Sequence, residues 1–188
     1  MALLPVTLIG DKILRKKTSL VQDVNFKTIE LIKDMFDTMR NANGIGLAAN
    51  QVGADKSIFI IDLSEIEGFE KTKPMVFINP NIVERSEEIE VGEEGCLSVP
   101  DLRGDISRSK LIELNYFDTD LVEHKLEAEK FLARVIQHEY DHLQGILFTD
   151  LVANNEKKKM RREILRIKKR DYEFRYPVTD DIDYKIAL

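Results

Sequence analysis

Two histidines four residues apart, His138 and His142, with Glu139 directly after the first, are the side chains here whose types and spacing point most directly to chemistry. On a helix, positions i and i+4 share a face, with Cβ atoms about 5–6 Å apart. Two imidazoles so placed can bind one metal ion, through bonds of about 2.0–2.1 Å if the ion is zinc. Glu139 is turned by about 100° around the same helix. That sets it beside the ion, where a general base for water must stand. The alternative is that the pattern arises by chance and the histidines cap or pack. The motif alone leaves both readings open.

Two other stretches hold reactive or polar groups. Cys96 is the only cysteine, so no intramolecular disulfide can form. A lone cysteine is commonly a small buried hydrophobe, and beside a metal motif it is also the obvious thiolate ligand. Residues 44–53, GIGLAANQVG, contain glycines that let backbone approach another group closely. Their spacing fits neither the P-loop nor the dinucleotide fingerprint. A tight turn explains these glycines but not Gln51, whose amide can donate to a developing oxyanion. His124, among Asp120, Glu123 and Lys125, reads as an exposed turn residue without a role.

The elements that must position these groups follow from periodicity. Glu127, Ala128, Glu129 and Lys130 are good helix formers, and Phe131, Leu132, Val135 and Ile136 continue them as an apolar stripe of helical period. Phe131, Val135, His138 and His142 then share one face, and Gly145 can close the helix. Ile29, Ile32, Phe36 and Met39 predict an amphipathic helix from Phe26 to Met39, with Asn25 as N-cap and a stop at Asn43-Gly44. Residues 57–62 and 75–79 read as strands, followed by a turn at Asn79-Pro80-Asn81 and short strands at 82–83 and 89–91. Residues 111–117 alternate as a half-exposed strand, and residues 146–152 suggest another short one. Residues 1–22 read as an extended arm with a helical turn near residues 11–15.

With 188 residues, 43% hydrophobic and 33% charged, the chain has the composition of an ordinary globular domain. No apolar run approaches the ~20 residues that span a bilayer. The first basic residues follow the apolar N-terminal stretch, the reverse of a secretory signal, so a cytoplasmic location is expected. Residues 156–170 hold nine Lys or Arg against Glu156 and Glu163, a net of +7; the whole chain carries −6, leaving −13 elsewhere. Met160, Ile164 and Ile167 give that segment a narrow apolar stripe. It is either a solvated helix face or a docking element for an anionic surface such as RNA. Residues 171–188 read as a loosely held tail.

Three segments, residues 44–53 (GIGLAANQVG), 94–100 (EGCLSVP) and 137–142 (QHEYDH), together resemble the signature motifs of the peptide deformylases, in that family's order and spacing. The surrounding chain from about residue 3 to 170 follows the same layout, most like the bacterial form with a helical C-terminus. The resemblance implies an α+β fold, with antiparallel β-sheets wrapped around a central helix carrying the HExxH motif, plus a C-terminal helix. It implies one catalytic domain over residues 1–170 and a tail over 171–188. It implies Cys96, His138 and His142 as ligands of one divalent ion, generally Fe2+ in this family, with Zn2+, Ni2+ or Co2+ able to substitute.

The implied reaction is hydrolysis of the N-formyl group from the initiator methionine of nascent polypeptides, with release of formate. Glu139 would move the proton, while Gln51 and the backbone N–H of Leu97 stabilise the oxyanion. Backbone groups of Ile45 and Gly46 would pair with the substrate, Phe131 and Val135 would line the methionine pocket, and Arg103 would reach further along the peptide. The implied partners are N-formylmethionyl nascent chains and a transient ribosome contact through the basic helix 156–170, with no membrane and no DNA. Asn50 departs from the proline or threonine of many relatives. Two rival readings remain at this point. An HExxH metallopeptidase would need a third ligand downstream, from Glu156 or Glu163. A non-catalytic ribosome- or RNA-binding protein with a structural metal would have no use for Glu139 or Gln51.

Overall fold

A strand that is apolar at every position needs a layer packed on each of its faces, and residues 58–61 are held in that way. In the computed structural model, which describes residues 2–186, an extended N-terminal arm with a 3₁₀ turn at Lys12–Arg15 leads to α1 (Phe26–Asn41). Then come β1 (Gly46–Ala48), a 3₁₀ turn at Ala49–Val52, β2 (Ile58–Ile61), β3 (Met75–Arg85), β4 (Ile89–Cys96), β5 (Val99–Ser109), β6 (Leu111–Phe117) and β7 (Glu123–Glu129). Three helices follow: α2 (Lys130–Leu143), α3 (Phe148–Leu151) and α4 (Asn154–Lys168).

The strands form a five-stranded sheet of order β1-β2-β3-β6-β7 and a separate ribbon, β4-β5, antiparallel at every named pairing. Because side chains alternate along a strand, β2 sends Phe59 and Ile61 into the core shared with Val135 and Ile136 of α2. It sends Ile58 and Ile60 into the core shared with Met35 and Met39 of α1. A third core joins Val99 and Ile106 of β5 to Phe148 of α3 and to Met160 and Ile167 of α4. The α+β architecture, with antiparallel sheets around the His-bearing helix and a helix near the C-terminus, is the one expected.

Several local expectations hold, and four give way. Asn25 caps α1, its side-chain oxygen accepting from Thr28 N–H at 3.2 Å. Residues 123–129 form β7 rather than the start of the histidine helix. Glu127 and Glu129 have helical propensity, but pairing with β6 and the burial of Ala128 override it. Asn79-Pro80-Asn81 is not a turn. Strand β3 runs through it with a register shift between Ile78 and Asn81, and Asn79 takes the left-handed φ of 49°. The Asn79 side chain then pins the N-terminal arm, donating to Val21 O and accepting from Val21 N–H, both at 2.8 Å.

Residues 146–152 contain the short helix α3 rather than a strand, because Phe148 must drop into the third core while Leu147 N–H is capped by Asp150 at 2.9 Å. Residues 171–186 do not hang loose. Arg170 and Thr179 both bond Asp11, which is fully buried (2.5 and 2.7 Å), and Val178 bridges Val6 in parallel. Residues 187 and 188 lie outside the described residues.

Phe77 is fully buried and stacks on Phe59 and tilts against Tyr116, each at 4.6 Å between ring centroids. Phe77→Ala is expected to cost about 3–5 kcal/mol in urea unfolding of the metal-free protein. A loss below about 1 kcal/mol would show that the sheet and α2 close over the cavity.

Candidate metal centre

Three distant pieces of chain meet here: α2, the end of the β4-β5 ribbon and the turn after β1. On α2, one helical turn separates His138 from His142, and their ring centroids lie 4.9 Å apart. The ribbon's regular pairing shifts register between Gly95 and Cys96, which re-aims the cysteine at its tip. The Cys96 sulfur stands 3.3 Å from His142 Nε2, and the ligating atoms of Cys96, His138 and His142 all lie within 4.8 Å of one another. Three donors that surround one ion at bonds of about 2.0–2.3 Å must be about this close.

The donor chemistry fits a divalent ion. His138 Nδ1 faces Glu94 Oε2 at 2.9 Å, which fixes the ring and leaves the other nitrogen for a metal. Burial alone would lower the His138 pKa, but the Cys96 sulfur and Glu94 outweigh it and raise it well above the usual histidine range. Without an ion the pocket thus holds a proton on this ring, which metal binding would have to displace. Burial, and then His138, hold His142 well below that range, as the neutral imidazole that a ligand must be. Glu156 and Glu163, the peptidase-type alternatives, sit on α4 and are not in the cluster.

Glu139 is buried against the glycine segment. A Cβ on Gly46 would come within 2.4 Å of Glu139 Oε1, so only glycine lets the carboxyl sit there. Among the described residues Glu139 Oε2 has no hydrogen-bond partner, and burial pushes the group up to about 7, with His138 pulling the other way. Gln51, in the 3₁₀ turn, is oriented by Ala48 N–H, which donates to its Oε1 at 2.8 Å. Its Nε2 consequently points at Cys96 Sγ (3.4 Å) and Ser98 Oγ (3.2 Å). Asn50, beside it, donates to the backbone carbonyl of His142 at 2.6 Å and so braces the end of α2.

Sequence reasoning missed the buried charge network around the ligands. Glu94 accepts from Arg108 Nε and Nη2, each at 2.9 Å, and from Arg134 Nη1 at 3.0 Å. Arg108 also bonds Asp141 at 2.5 Å, while Arg134 reaches the carbonyls of Ile106 (2.9 Å) and Glu90 (2.7 Å). Burial would push Glu94 up, but His138 and Arg108 bring it down to about 2. The signal was available: Arg134 stands four residues before His138, and Glu94 lies within EGCLSVP.

A cleft of ≈ 590 Å³ opens beside these groups, and Ile45, Gly46, Arg103, Phe131 and Val135 all line it together with Gln51, Leu97, His138 and Glu139. Arg103 is exposed and pairs with Glu93 at 3.2 Å on the rim. His124 is remote from the cluster, in β7, with Nε2 2.6 Å from Asp118. Glu173, Arg175 and Tyr176 also line the cleft, from the segment expected to be loose. The alternation of Tyr172, Phe174, Tyr176 and Val178 with polar residues was the sign that it would pack.

Known proteins resemble this chain over most of its length. The family model described as polypeptide deformylase matches residues 3–158. The chain is 46% identical over 166 residues to a peptide deformylase of Pseudothermotoga lettingae, covering 86% of this chain and 90% of that protein. It is 42% identical over 176 residues to one of Chlorobium phaeobacteroides, covering 94% and 95%. Among solved structures, the peptide deformylase of Thermotoga maritima matches with a TM-score of 0.76 at 37% identity, over 81% of this chain and 99% of that one. That of Ehrlichia chaffeensis matches with a TM-score of 0.81 at 34% identity, over 90% and 97%.

Glu94→Ala leaves Arg108 and Arg134 buried without their shared anion. It is expected to lower the unfolding free energy of the metal-free protein by about 3–5 kcal/mol and to weaken metal binding by roughly 10–100-fold. Unchanged urea unfolding and metal affinity would mean that the arginines find other partners.

Proposed function

Because this chain belongs to the peptide deformylase family, we propose that Cys96, His138 and His142 hold one divalent metal ion and that Glu139, Gln51 and Leu97 carry the hydrolysis beside it. The chain is a hydrolase of protein biosynthesis: it removes the N-formyl group from the initiator methionine of nascent polypeptides and releases formate. The observation that carries the assignment of residues is the meeting of one cysteine sulfur and two imidazoles, beside a cleft that a buried carboxyl and an oriented amide line.

An ion held by these ligands supplies Lewis acidity, which makes water nucleophilic near neutral pH. Water adds to the formyl carbon, the carbon–nitrogen bond breaks, and formate and a free amine result. Glu139 accepts the proton of the attacking water and returns it to the leaving nitrogen; its unpartnered Oε2 leaves it free for this. Gln51 Nε2 and the Leu97 N–H donate to the oxyanion that develops on the formyl oxygen. Strand β1 is the edge of the five-stranded sheet. Its open side at Gly46 suits an extended peptide added as a further strand, with Ile45 at its start. Phe131 and Val135 offer an apolar wall for the methionine side chain, and Arg103 a charge for residues further along.

Fe2+ is proposed as the native ion; the same ligand set tolerates Zn2+, Ni2+ and Co2+. Among the described residues no helix is long and apolar enough to cross a membrane, and a cytoplasmic site of action is proposed. A transient ribosome contact through residues 156–170 is also proposed. Lys157, Lys158, Lys159, Arg161 and Arg162 are exposed on α4, while Met160 and Ile167 hold it to β5.

Anaerobically purified protein is expected to release formate from formyl-Met-Ala-Ser with about one metal per chain. Cys96→Ala should lose both metal and turnover. Glu139→Ala should keep the metal while turnover falls by about 10²–10⁴-fold; full activity in that variant would remove Glu139 from the reaction. Reversing Lys157, Lys158, Arg161 and Arg162 to Glu is expected to abolish co-sedimentation with ribosomes at low salt while short-peptide turnover stays within about twofold. Unchanged sedimentation would return α4 to a solvated face.

A further inference from the structure

The family match ends at residue 158, yet the cleft is walled on one side by residues beyond it. Residues 171–186 are fastened at several points before and after they reach the cleft. Arg170 and Thr179 clamp Asp11, and Val6 N–H donates to Pro177 O at 2.9 Å. Thr179 N–H donates to Val6 O at 3.0 Å and Ile186 N–H to Gly53 O at 3.0 Å. Tyr172 and Phe174 pack into the third core, and Tyr172 O–H donates to Asp101 at 2.9 Å. Between these anchors Tyr176 lies half-buried at the cleft, and its O–H donates to the backbone carbonyl of Leu97 at 2.6 Å.

That carbonyl belongs to the residue whose N–H is proposed to hold the oxyanion. We infer that Tyr176 is a positioning residue for the Cys96-Leu97-Ser98 segment, clamping the Leu97 carbonyl so that the Leu97 N–H is held toward the formyl oxygen; this rests on the deformylase reading of the site. The flanking residues are already restrained. Ser98 O accepts from Ile9 N–H at 2.8 Å, and Ser98 Oγ lies 3.2 Å from Gln51 Nε2. Among the described residues, Tyr176 O–H is the partner of the Leu97 carbonyl, so without it Leu97 can pivot about its own backbone dihedrals. Oxyanion stabilisation depends on donors fixed before charge develops, and displacement by a fraction of an ångström weakens it. The hydroxyl is suited to this task because it stays protonated: burial, and then the Cys96 sulfur, push it up and away from neutral pH.

The test is Tyr176→Phe in the full, metal-loaded chain, which removes one oxygen and keeps the ring. The expected result is a fall in kcat for formyl-Met-Ala-Ser of about tenfold with KM within about twofold, since only transition-state contacts are lost. Metal content and Tm should match wild type, and amide hydrogen exchange at Leu97 and Ser98 should quicken. Unchanged kcat and unchanged exchange at those two amides would overturn the proposal, as would a fall in kcat that tracks loss of metal. If metal-loaded wild type itself released no formate, the deformylase reading would fail. Exchange at Leu97 and Ser98 would still decide whether Tyr176 holds this segment.

Discussion

Buried among Arg108, Arg134 and His138, the carboxylate of Glu94 ties the β4-β5 ribbon to α2 and sets the orientation of the His138 ring. An apolar contact of the same size would join ribbon and helix as well, and with less desolvation to offset. It would not choose which ring nitrogen of His138 faces the site. The two arginines neutralise the carboxylate so that it remains an acceptor for Nδ1 at any moderate pH. Arg134 also reaches the carbonyls of Gly92, Glu90 and Ile106, so the strand carrying Cys96 is held by the network that aims His138. Cys96 lies two residues beyond Glu94, and its approach to the histidines follows from that anchoring.

The site is assembled from segments about forty residues apart, and each meets the next through backbone placed unusually close to a side chain. Gly46 must lack a side chain for Glu139 to lie against β1, and Gly92 must lack one for the Arg134 guanidinium, which a Cβ there would meet at 2.8 Å. Asn50 and Gly145 both donate to the carbonyl of His142, so the last turn of α2 is fixed by the strand side and by its own cap. Among the described residues strand β1 pairs with β2 alone, which leaves its other edge open. Open edges invite pairing, and a short edge of Gly-Leu-Ala offers little side-chain obstruction to an incoming peptide.

Much of the candidate site was legible in short stretches: the spacing of His138, Glu139 and His142 needs only a helix, while the roles expected of Cys96 and Leu97 in EGCLSVP came from the family resemblance. The α+β class came with the family resemblance, while strands such as residues 57–62 and the amphipathic α1 were legible from their own periodicity. What local pattern did not show was decided by partners elsewhere. Glu127 and Glu129 prefer helix, but β6 offers a ladder and a buried place for Ala128. Asn79-Pro80 reads as a turn, but the arm at Val21 supplies partners that let β3 continue through a bulge. In residues 171–186 the alternation of Tyr172, Phe174, Tyr176 and Val178 signals packing but not what it packs against. Their anchors are Asp11, Val6 and Gly53, more than a hundred residues away, and no window of sequence reveals such a pairing.

Two glutamates, Glu94 and Glu139, both act on His138, and their surroundings separate them. Glu94 receives donors from two arginines and a histidine, which stabilise its charged form and bring it down to about 2. Such a group is spent on structure, since every lone pair facing the protein is occupied. Glu139 is as deeply buried but lacks an arginine of its own, and one of its oxygens is without a partner. Burial therefore disfavours its charged form, and the proton's position becomes sensitive to whatever occupies the cleft. The proton transfer proposed for Glu139 requires a carboxyl poised in this way, and a carboxyl that only orients a histidine must not be. The same residue type serves both ends because the arginines were placed beside only one of them.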